Sequence, residues 1–378
     1  MRGEPFVKPI FYRPTWAEIN LEHIAYNIKQ MKQRLSSSTK VMAVVKADGY
    51  GHGAIEVAKT ALNSGAEALA VALLEEAVEL RKAQIDAPIL VLGRTDPAYA
   101  GIASEFNITL SVFQTEWFTS AQPYIQDQPL KVHVEVDSGM NRTGLKTVRE
   151  LQDCLETLSQ MSCIELTGVY THFATADEQD PSYLNEQIKT FEHVLQGFSN
   201  RKESALAVHI SNSAASIRLD NQMYQYIRFG VSMYGMYPSD YIKASSDIEL
   251  RPAFSLHTKI IAVKQIKKGE TVSYGQIFEA PEDMWLATIP IGYGDGWLRK
   301  LTGIEVLIDG KRMKIVGRIC MDQCMIALDQ AYPIGEDVTL IGKQQDEEIK
   351  VEEIAHYLET INYEITCQIS ARVPRVYT

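Results

Sequence analysis

The stretch Val41-Met42-Ala43-Val44-Val45-Lys46-Ala47-Asp48-Gly49-Tyr50-Gly51-His52-Gly53 is an apolar run followed by a lysine and a glycine-rich turn. An apolar run of this length before glycines predicts a buried strand. Lys46 lies at its carboxyl end, where partial burial favours the neutral, nucleophilic amine that forms Schiff bases with aldehydes. Taken alone, the window also fits an ordinary surface lysine, since most lysines are surface charges. The rest of the chain decides between the two interpretations.

The composition is that of an ordinary globular protein large enough for two domains. The chain has 378 residues, of which 46% are hydrophobic and 22% charged, typical of a folded protein. A net charge of -11 argues against a nucleic-acid partner, because phosphate binding needs a basic face. No apolar run approaches the roughly 18 residues that span a bilayer, and residues 1–16 contain three prolines and no apolar segment of a signal peptide. We therefore expect neither a membrane partner nor export.

Five cysteines are scattered through the chain, at positions 154, 163, 320, 324 and 367. An odd, dispersed set suits reduced thiols in the cytoplasm. Cys320 and Cys324 lack a second Cys/His pair at zinc-binding spacing, so we predict no metal site.

Eight apolar runs rich in β-branched residues alternate with segments of helical periodicity, such as Thr147–Leu158 and Asn185–Leu195. This alternation predicts parallel βαβ units. Eight units favour a closed (β/α)8 barrel of the TIM type, although counting alone leaves a doubly wound open sheet as an alternative. The predicted strands are Val41–Val45, Leu69–Ala72, Ile89–Leu92, Thr109–Val112, Val132–Val136, Leu166–Tyr170, Leu206–Ile210 and Tyr226–Phe229.

The pattern changes after Ser245–Pro252, where longer alternating strands begin. Asp309-Gly310 between two such strands, Glu305–Ile308 and Met313–Val316, predicts a β-hairpin. One late helix is predicted near Val351–Leu358. We therefore expect a barrel over residues 14–244 and a mainly β domain over residues 245–378, with residues 1–13 packed against the β domain.

Several polar residues fall at the carboxyl ends of predicted strands, where barrels build their sites and commonly bind phosphate after the seventh and eighth strands. Lys46 follows the first strand, His172 the sixth and Ser213 the seventh, while Gly230 follows the eighth. Ser213 lies where a short helix could begin, so its hydroxyl and nearby amides can bind a dianion. A lone histidine such as His172 is commonly a structural, hydrogen-bonded residue. The joint placement favours a functional site.

Motifs along nearly the whole chain carry a resemblance to a known family. They are Thr15–Leu21, Val45–Gly53, Asp137–Arg142, Thr171–Asp177, Asn212–Ser216, Val272–Gly275, Ile291–Trp297 and Gly317–Asp322. In these ordered matches the chain closely resembles the alanine racemases, which are barrel-type (fold type III) pyridoxal phosphate enzymes. The resemblance implies racemisation of alanine with pyridoxal 5'-phosphate, to supply D-alanine for peptidoglycan.

The resemblance also assigns roles around the cofactor. Lys46 would bind it covalently as a Schiff base, His172 would lie against its ring, and Arg228 would face its pyridine nitrogen. Because a guanidinium does not readily give up a proton, the nitrogen would stay unprotonated and the ring would be a weaker electron sink. The residues implied to hold the cofactor otherwise are Tyr50, Asn212, Ser213, Tyr363 and the amides of Gly230 and Val231.

Racemisation needs two bases, because one fixed lysine reaches only one face of the substrate. By the resemblance the second base is Tyr274, contributed by the partner subunit of a homodimer with shared active sites. Ionising an ordinary tyrosine at neutral pH costs about 4 kcal/mol, so a positive field is expected, with His209 and Arg228 as candidates. From the residues alone, Tyr274 would be a strand aromatic packed in a core. The resemblance further implies that the substrate carboxylate is positioned by Arg142 and the Met321 backbone, with Tyr293 and Asp322 lining the approach.

Alternatives remain at this level. A related pyridoxal phosphate decarboxylase would share Lys46 and a β domain, but the segments around Tyr274 and Met321 favour a racemase. A cofactor-carrier protein resembles a lone barrel, so the second domain argues against it. Gly49–Gly53 reads Gly-x-Gly-x-Gly rather than the Gly-x-Gly-x-x-Gly dinucleotide fingerprint. Serine also remains possible as a substrate, since apolar pockets reject an added hydroxyl poorly.

One position departs from the family pattern. Many relatives have a carbamylated lysine where this chain has Glu135, and the carbamate holds the arginine that corresponds to Arg142. A glutamate supplies the anion directly, so we predict that Glu135 fixes Arg142 by a charge-assisted, bidentate contact. The alternative interpretation is a solvent-facing charge, because Val132, Val134 and Val136 form the apolar face of the strand.

Overall fold

The computed structural model describes residues 11–126, 128–198, 206–219 and 224–378. The chain divides into two compact units, which are residues 22–252 and the described residues up to Leu21 together with Ala253–Thr378. The boundaries thus differ from the expected ones at residues 14 and 245. Residues 1–10, expected to pack with the β domain, lie outside the described part of the chain.

The first strand explains the boundary at Leu21. Strand β1 (Thr15–Ile19) pairs antiparallel with Phe254–Lys259 and parallel with Arg375–Tyr377, so it is part of the C-terminal sheet. Its buried residues alternate with half-buried ones, as expected for a strand in a sheet with one buried face. Before it, Arg13 Nη1 donates to both carboxylate oxygens of the buried Asp295 at 2.8 Å.

The first unit is a (β/α)8 barrel, as predicted. Its eight strands run in the order β8-β7-β6-β5-β4-β3-β2-β9, and every pairing is parallel. A backbone hydrogen bond from Arg228 N to Ser211 O at 2.8 Å joins β9 to the end of β8. A doubly wound sheet is thereby excluded. The strands are β2 (Lys40–Val44), β3 (Ala68–Val71), β4 (Ile89–Arg94), β5 (Thr109–Val112), β6 (Leu130–Val136), β7 (Ile164–Thr171), β8 (Ala207–His209) and β9 (Tyr226–Phe229).

Helices follow the strands. In the seventh, Thr147 Oγ1 accepts from Glu150 N and the Glu150 carboxylate accepts from Thr147 N, a capping box that fixes the start of the helix. Its buried residues recur at helical spacing. The helices of this unit are α1 (Leu21–Arg34), α3 (Ala54–Asn63), α4 (Leu74–Lys82), α5 (Ala100–Glu105), α6 (Glu116–Ala121), α7 (Val148–Ser159), α8 (Ser182–Leu195), α9 (Ser213–Arg218) and α10 (Asp240–Ser245), and α2 (Lys46–Tyr50) is a single turn with left-handed backbone.

The inside of the barrel carries a polar cluster, whereas such barrels are usually filled by branched apolar residues. On β6, His133 and Glu135 alternate with valines and are buried. Side chains of strands that are not neighbours meet: His133 Nδ1 lies 3.0 Å from His209 Nε2, and Tyr170 OH donates to Ser111 Oγ at 2.9 Å. The barrel therefore holds a buried hydrogen-bonding network rather than a purely hydrophobic core.

The second unit is mainly β, as predicted. A long sheet has the order β11-β14-β17-β16-β15-β18-β10-β1-β20, β19 pairs with β18, and β12 and β13 form a separate pair. The strands are β10 (Phe254–Lys259), β11 (Ala262–Ile266), β12 (Thr271–Val272), β13 (Phe278–Glu279), β14 (Met284–Ile289), β15 (Glu305–Ile308), β16 (Lys311–Val316), β17 (Cys324–Leu328), β18 (Asp337–Gln344), β19 (Glu347–Ile349) and β20 (Arg375–Tyr377).

The predicted hairpin and helix of this unit are confirmed. Asp309 and Gly310 have φ values of 48° and 70° and join β15 to β16, as a two-residue hairpin turn requires. Helix α11 (Val351–Leu358) is present, and a second helix, α12 (Asn362–Gln368), was not predicted. Among the described residues, no helix is long and apolar enough to cross a bilayer.

Candidate active site

Lys46 stands at the start of a left-handed turn. The four residues after it have φ values of 51°, 51°, 60° and 53°. This conformation costs an L-amino acid roughly 1–2 kcal/mol per residue, so the surrounding contacts must hold it. The turn brings Lys46 and Tyr50 together, with the Lys46 Nζ atom 6.0 Å from the centre of the Tyr50 ring.

Hydroxyl groups meet around Gly230, just after β9. A Cβ atom at this position would lie 2.8 Å from the Tyr50 hydroxyl oxygen, so only glycine allows the tyrosine to approach. Ser213 Oγ accepts from Gly230 N at 2.9 Å and from Ser232 N at 3.4 Å. The hydroxyl of Ser213 therefore still has its own proton to donate. Ser232 Oγ is buried and has no hydrogen-bond partner among the described residues.

Two predicted cofactor contacts, those of the Gly230 amide and Asn212, have other partners in the structure. The Gly230 amide donates to Ser213, as above, and Asn212 Oδ1 accepts from Ala215 N at 3.0 Å, which caps helix α9. Val231 is buried next to Gly230. The predicted start of a helix at Ser213 is confirmed.

Arg228 is buried at the centre of the polar cluster. Its Nη1 lies 2.7 Å from His209 Nδ1, and its Nη2 donates to Thr171 O at 2.7 Å and lies 3.2 Å from His172 Nδ1. Because a guanidinium only donates, both histidine nitrogens accept. His209 must then carry its proton on Nε2 and donate it to His133 Nδ1. One cation thus fixes the tautomers of the histidines around it.

Burial keeps these histidines neutral. Burial, with a smaller contribution from Arg228, lowers the pKa of His133 to about 3 and holds the pKa values of His172 and His209 well below the ordinary range. Burial also lowers the pKa of Arg228, to about 10, which leaves it charged at neutral pH. Of the two candidates for a positive field, only Arg228 therefore carries charge. His209 instead orients Arg228.

Glu135 is buried, so the solvent-facing interpretation is wrong. Its Oε2 accepts from Thr143 Oγ1 at 2.9 Å, and the described residues contain no hydrogen bond between Glu135 and the exposed Arg142. Burial raises the pKa of Glu135, and Thr143 and the charge of Arg142 oppose that rise. Glu135 thus binds Thr143, the residue after Arg142, and does not make the bidentate contact with Arg142 that we predicted.

In the C-terminal unit, Tyr274 stands on a strained turn and is 67% exposed, so it does not pack in a core. Ser273 before it has φ 67° and ψ -173°, a combination found almost only in glycine. Its hydroxyl donates to Arg318 O at 2.6 Å. The guanidinium of Arg318 lies so close to the turn that a Cβ at Gly275 would come within 3.1 Å of it.

The other predicted residues of this unit lie on loops and one helix. Met321 is 53% exposed and its carbonyl accepts from Gly294 N at 2.9 Å, which joins its loop to that of Tyr293, 41% exposed. Asp322 accepts from Arg372 Nη2 at 2.6 Å. Tyr363 is on α12. The loops of Met321 and Tyr293 are thus joined by a backbone hydrogen bond.

Family models match both units of this chain. The alanine racemase N-terminal domain matches residues 19–238 and the alanine racemase C-terminal domain matches residues 253–377. The chain belongs to the alanine racemase family. It is 51% identical to the alanine racemase of Anoxybacillus flavithermus over 97% of this chain and 95% of that one, and 49% identical to alanine racemase 1 of Bacillus subtilis over 97% and 94%.

Solved structures agree. The alanine racemase of Bacillus anthracis with bound L-Ala-P superposes with a TM-score of 0.95 at 45% identity, covering 98% of this chain and 96% of that one. A histidine racemase from Leuconostoc mesenteroides superposes at 0.90 with 31% identity, covering 98% and 99%. The decarboxylase and carrier alternatives are not favoured. The chain is thus a pyridoxal phosphate-dependent isomerase.

The residues around Gly230 fit the cofactor of alanine racemases. A phosphate dianion accepts hydrogen bonds, and the hydroxyls of Tyr50, Ser213 and Ser232 are three potential donors around one glycine. Among the described residues, nothing accepts a hydrogen bond from Arg228 Nε, so this N–H is available for the pyridine nitrogen. Lys46 lies beside Tyr50, at the edge of the same cradle.

Sequence reasoning missed several residues that support the candidate site residues within each unit. His133, Tyr170 and Ser111 form the network behind Arg228, and Ser273 supports Tyr274. For His133 a signal existed: histidine and glutamate alternate with valines on β6, which indicates a strand with a polar inner face. Nothing in the sequence indicated the hydroxyl contact of Ser273.

Proposed function

We propose that this enzyme interconverts L-alanine and D-alanine with Lys46 and Tyr274 as bases on opposite faces of the substrate Cα. The observation that supports Lys46 most is its place beside Tyr50, at the edge of the hydroxyl cradle. When bound, the cofactor supplies an electron-withdrawing ring that acidifies the Cα–H bond. Lys46 would hold the cofactor and move the proton on its own face.

Arg228 would face the pyridine nitrogen and stay protonated. Three neutral histidines surround it, two of them as acceptors, and this arrangement holds its planar group in one orientation. A cation that keeps its proton leaves the ring a weak electron sink, which shortens the life of the deprotonated substrate and limits side reactions.

Tyr274 would serve the opposite face, and we propose that it comes from the partner subunit of a homodimer. Its exposure on the strained turn supports this role, since a base must reach a substrate outside its own core. Inactive Lys46→Ala and Tyr274→Phe chains, mixed and reassembled, should recover activity. Heterodimers that form without activity would contradict a shared site.

Arg142 and the Met321 backbone would position the substrate carboxylate, with Tyr293 and Asp322 along the approach. Glu135 would support Arg142 by holding Thr143 and by its charge. Activity should then be independent of added bicarbonate. Glu135→Gln should raise KM or lower kcat, with the fold checked by circular dichroism, and wild-type constants would refute the role.

One experiment tests the assignment of Lys46. The purified protein is reduced with borohydride and mapped by peptide analysis, and the label should appear on Lys46. A label on another lysine would contradict the assignment. Separate L-amino acids are also incubated with the enzyme, and loss of optical rotation identifies the substrate. Serine and histidine belong in the panel, because a related structure is a histidine racemase.

Proton exchange tests the two bases separately. Tyr274→Phe should block deuterium wash-in chiefly from the L enantiomer, while Lys46 serves the D enantiomer. Equal residual exchange from both enantiomers would contradict this division. We further propose that the enzyme acts in the cytoplasm and that its D-alanine enters peptidoglycan, as the family resemblance implies.

A further inference from the structure

The first amide of the left-handed turn, Ala47 N, donates to a carboxylate from outside the turn, that of Glu76. Glu76 Oε1 accepts from Ala47 N at 2.6 Å. Glu76 Oε2 accepts from Ala72 N at 2.8 Å and from Leu73 N at 3.0 Å. A single side chain on α4 therefore ties the residue after Lys46 to the loop that begins α4.

The turn depends on such a contact because its conformation is unfavourable. Its internal hydrogen bonds run from Gly49 N to Val45 O at 2.9 Å and from Gly51 N to Ala47 O at 3.0 Å. Ala47 is not a glycine and gains nothing from positive φ. The bond to Glu76 fixes the plane of the Lys46–Ala47 peptide, from which the left-handed residues continue. With this plane held, Ala47 can leave positive φ only if the residues after it move, and these are tied by the internal hydrogen bonds of the turn.

The contact affects two functional groups at once. Lys46 precedes the Ala47 amide directly, and Tyr50 ends the same turn beside Gly230. A right-handed turn would place these side chains differently relative to one another, because the hand of a turn sets the direction of each Cα–Cβ bond. Cofactor attachment and phosphate binding would then no longer fit one ligand.

We propose that Glu76 is a positioning residue that holds the turn of Lys46 and Tyr50 in its left-handed form. The roles of those two residues rest on the proposed function. Glu76 is half-buried on α4 and is tied to the turn through the Ala47 amide.

The test compares Glu76→Gln with Glu75→Gln. Both remove one negative charge from α4, but Glu75 is exposed and accepts no hydrogen bond from the described residues. A glutamine keeps the size of Glu76 and offers one oxygen instead of two. On the apoprotein, hydrogen exchange in residues 46–53 should be about tenfold faster in Glu76→Gln and unchanged in Glu75→Gln, as loss of one charge-assisted hydrogen bond predicts. The dissociation constant of pyridoxal 5'-phosphate should rise by about the same factor.

Exchange in two other segments decides how a positive result is read. Strand β6 is the internal reference, so an equal increase there would mean general destabilisation and would overturn the proposal. Faster exchange confined to residues 72–82 would show that Glu76 only caps α4, and would also overturn it. If Glu76→Gln does not unfold cooperatively, Glu76→Met, which keeps the length and removes both oxygens, is measured in the same way.

The outcome is separable from that of the proposed function. Exchange of the apoprotein needs neither cofactor nor substrate. Faster exchange in residues 46–53 together with a borohydride label elsewhere than Lys46 would refute the function and leave the restraint by Glu76 intact. If Glu76→Gln exchanges at the wild-type rate and the borohydride label is on Lys46, the restraint by Glu76 is refuted and the proposed function stands.

Discussion

A single guanidinium organises the interior of the barrel. Arg228 donates to His209 and His172, and the chain of hydrogen bonds continues to His133. Since every ring nitrogen facing Arg228 must accept, the histidines cannot be protonated without breaking this arrangement. At the scale of residues, the site is therefore one fixed charge surrounded by neutral rings.

Because the buried histidines stay neutral in the folded state, the free energy of unfolding depends on pH. An unfolded histidine gains a proton as the pH falls through about 6.5, whereas folded His133 does so only near its pKa of about 3. The unfolded state binds more protons in that window, so stability falls as the pH falls from about 6.5 toward 3. Each such histidine contributes a slope of about 1.4 kcal/mol per pH unit.

His133→Asn should therefore lower the slope of unfolding free energy against pH by about 1.4 kcal/mol per unit below pH 6. Asparagine can still accept from His209, which keeps the network closed. Urea unfolding at a series of pH values gives the slope. As a control, His193→Asn changes an exposed histidine on α8 and should leave the slope as in the wild type. An unchanged slope in His133→Asn would mean that the ring is protonated in the folded state.

Gly230 offers a second prediction at this scale. Gly230→Ala should weaken cofactor binding at least tenfold, because the new methyl group would lie 2.8 Å from the Tyr50 hydroxyl oxygen. Tyr50→Phe removes that oxygen, so the double variant should bind no more weakly than Tyr50→Phe alone. Titration of the four apoproteins with pyridoxal 5'-phosphate measures this. Additive losses would show that the methyl group clashes elsewhere.

Among the elements, the turn that carries Tyr274 is the counterpart of the Lys46 turn. Both present a predicted base on backbone that L-amino acids avoid, and each is held by a side chain, Ser273 in one and Glu76 in the other. Strain of this kind persists only where neighbouring contacts enforce it. The precision of both bases thus depends on residues outside the chemistry.

At position 273 a glycine variant should be more stable than an alanine variant, which is the reverse of the usual order of stability. Ser273→Ala loses the bond to Arg318 O and keeps the strain, whereas Ser273→Gly loses the bond and relieves the strain. We expect the glycine variant to be more stable by about 1 kcal/mol in urea unfolding. At Ser120 in the exposed part of α6 the order should be the ordinary one, with alanine more stable. If Ser273→Ala were more stable than Ser273→Gly, the backbone at Ser273 would not be strained.

Periodicity predicted the regular elements and little of the irregular ones. All eight barrel strands and helix α11 follow from patterns of apolar residues within one segment, and the hairpin follows from the Asp309-Gly310 pair between two such strands. Strand β1 was missed because its partners, β10 and β20, are remote in the sequence. The left-handed turn was missed because Ala47 and Asp48 ordinarily avoid that conformation. Glycines mark a turn without giving its hand.

The placement of a candidate site residue was predictable where it follows the end of one strand. Lys46, His172 and Ser213 are examples, and their placement follows from the barrel. The partners of Arg228 could not be assigned, because contacts between strands β7, β8 and β9 depend on the register of the closed sheet. The contact of Glu135 with Thr143 differed from prediction because it depends on the path of the loop after β6.

For the whole molecule, the notable feature is that the C-terminal unit is discontinuous in sequence. Residues before Leu21 contribute a strand and Arg13, which bonds both oxygens of the fully buried Asp295. After Arg13→Ala that carboxylate would retain Gly292 N at 3.0 Å and the more distant Arg372. The unit should therefore lose stability from a change far away in sequence.

We expect Arg13→Ala to lower the free energy of unfolding by about 2 kcal/mol, because a buried carboxylate loses its main partner. Urea unfolding should measure the loss of stability, and hydrogen exchange should locate it in strands of the C-terminal sheet. Lys311→Ala breaks an exposed ion pair with Asp329 in the same unit and should have no measurable effect. Equal stability of the two variants would contradict the role of Arg13.

The place of β1 in the sheet also governs the order of events during protein synthesis. The strand leaves the ribosome long before β10, and at about 5–20 residues per second the delay is on the order of tens of seconds. The barrel, a continuous segment, is synthesised within that interval and is complete before β10 appears. The bonds from Leu21 N to Thr378 O at 2.8 Å and from Thr378 N to Ile19 O at 3.0 Å form only after translation has passed Thr378. A chaperone that shelters an unpaired strand would therefore act on this protein at β1, while residues 253–378 are still being made.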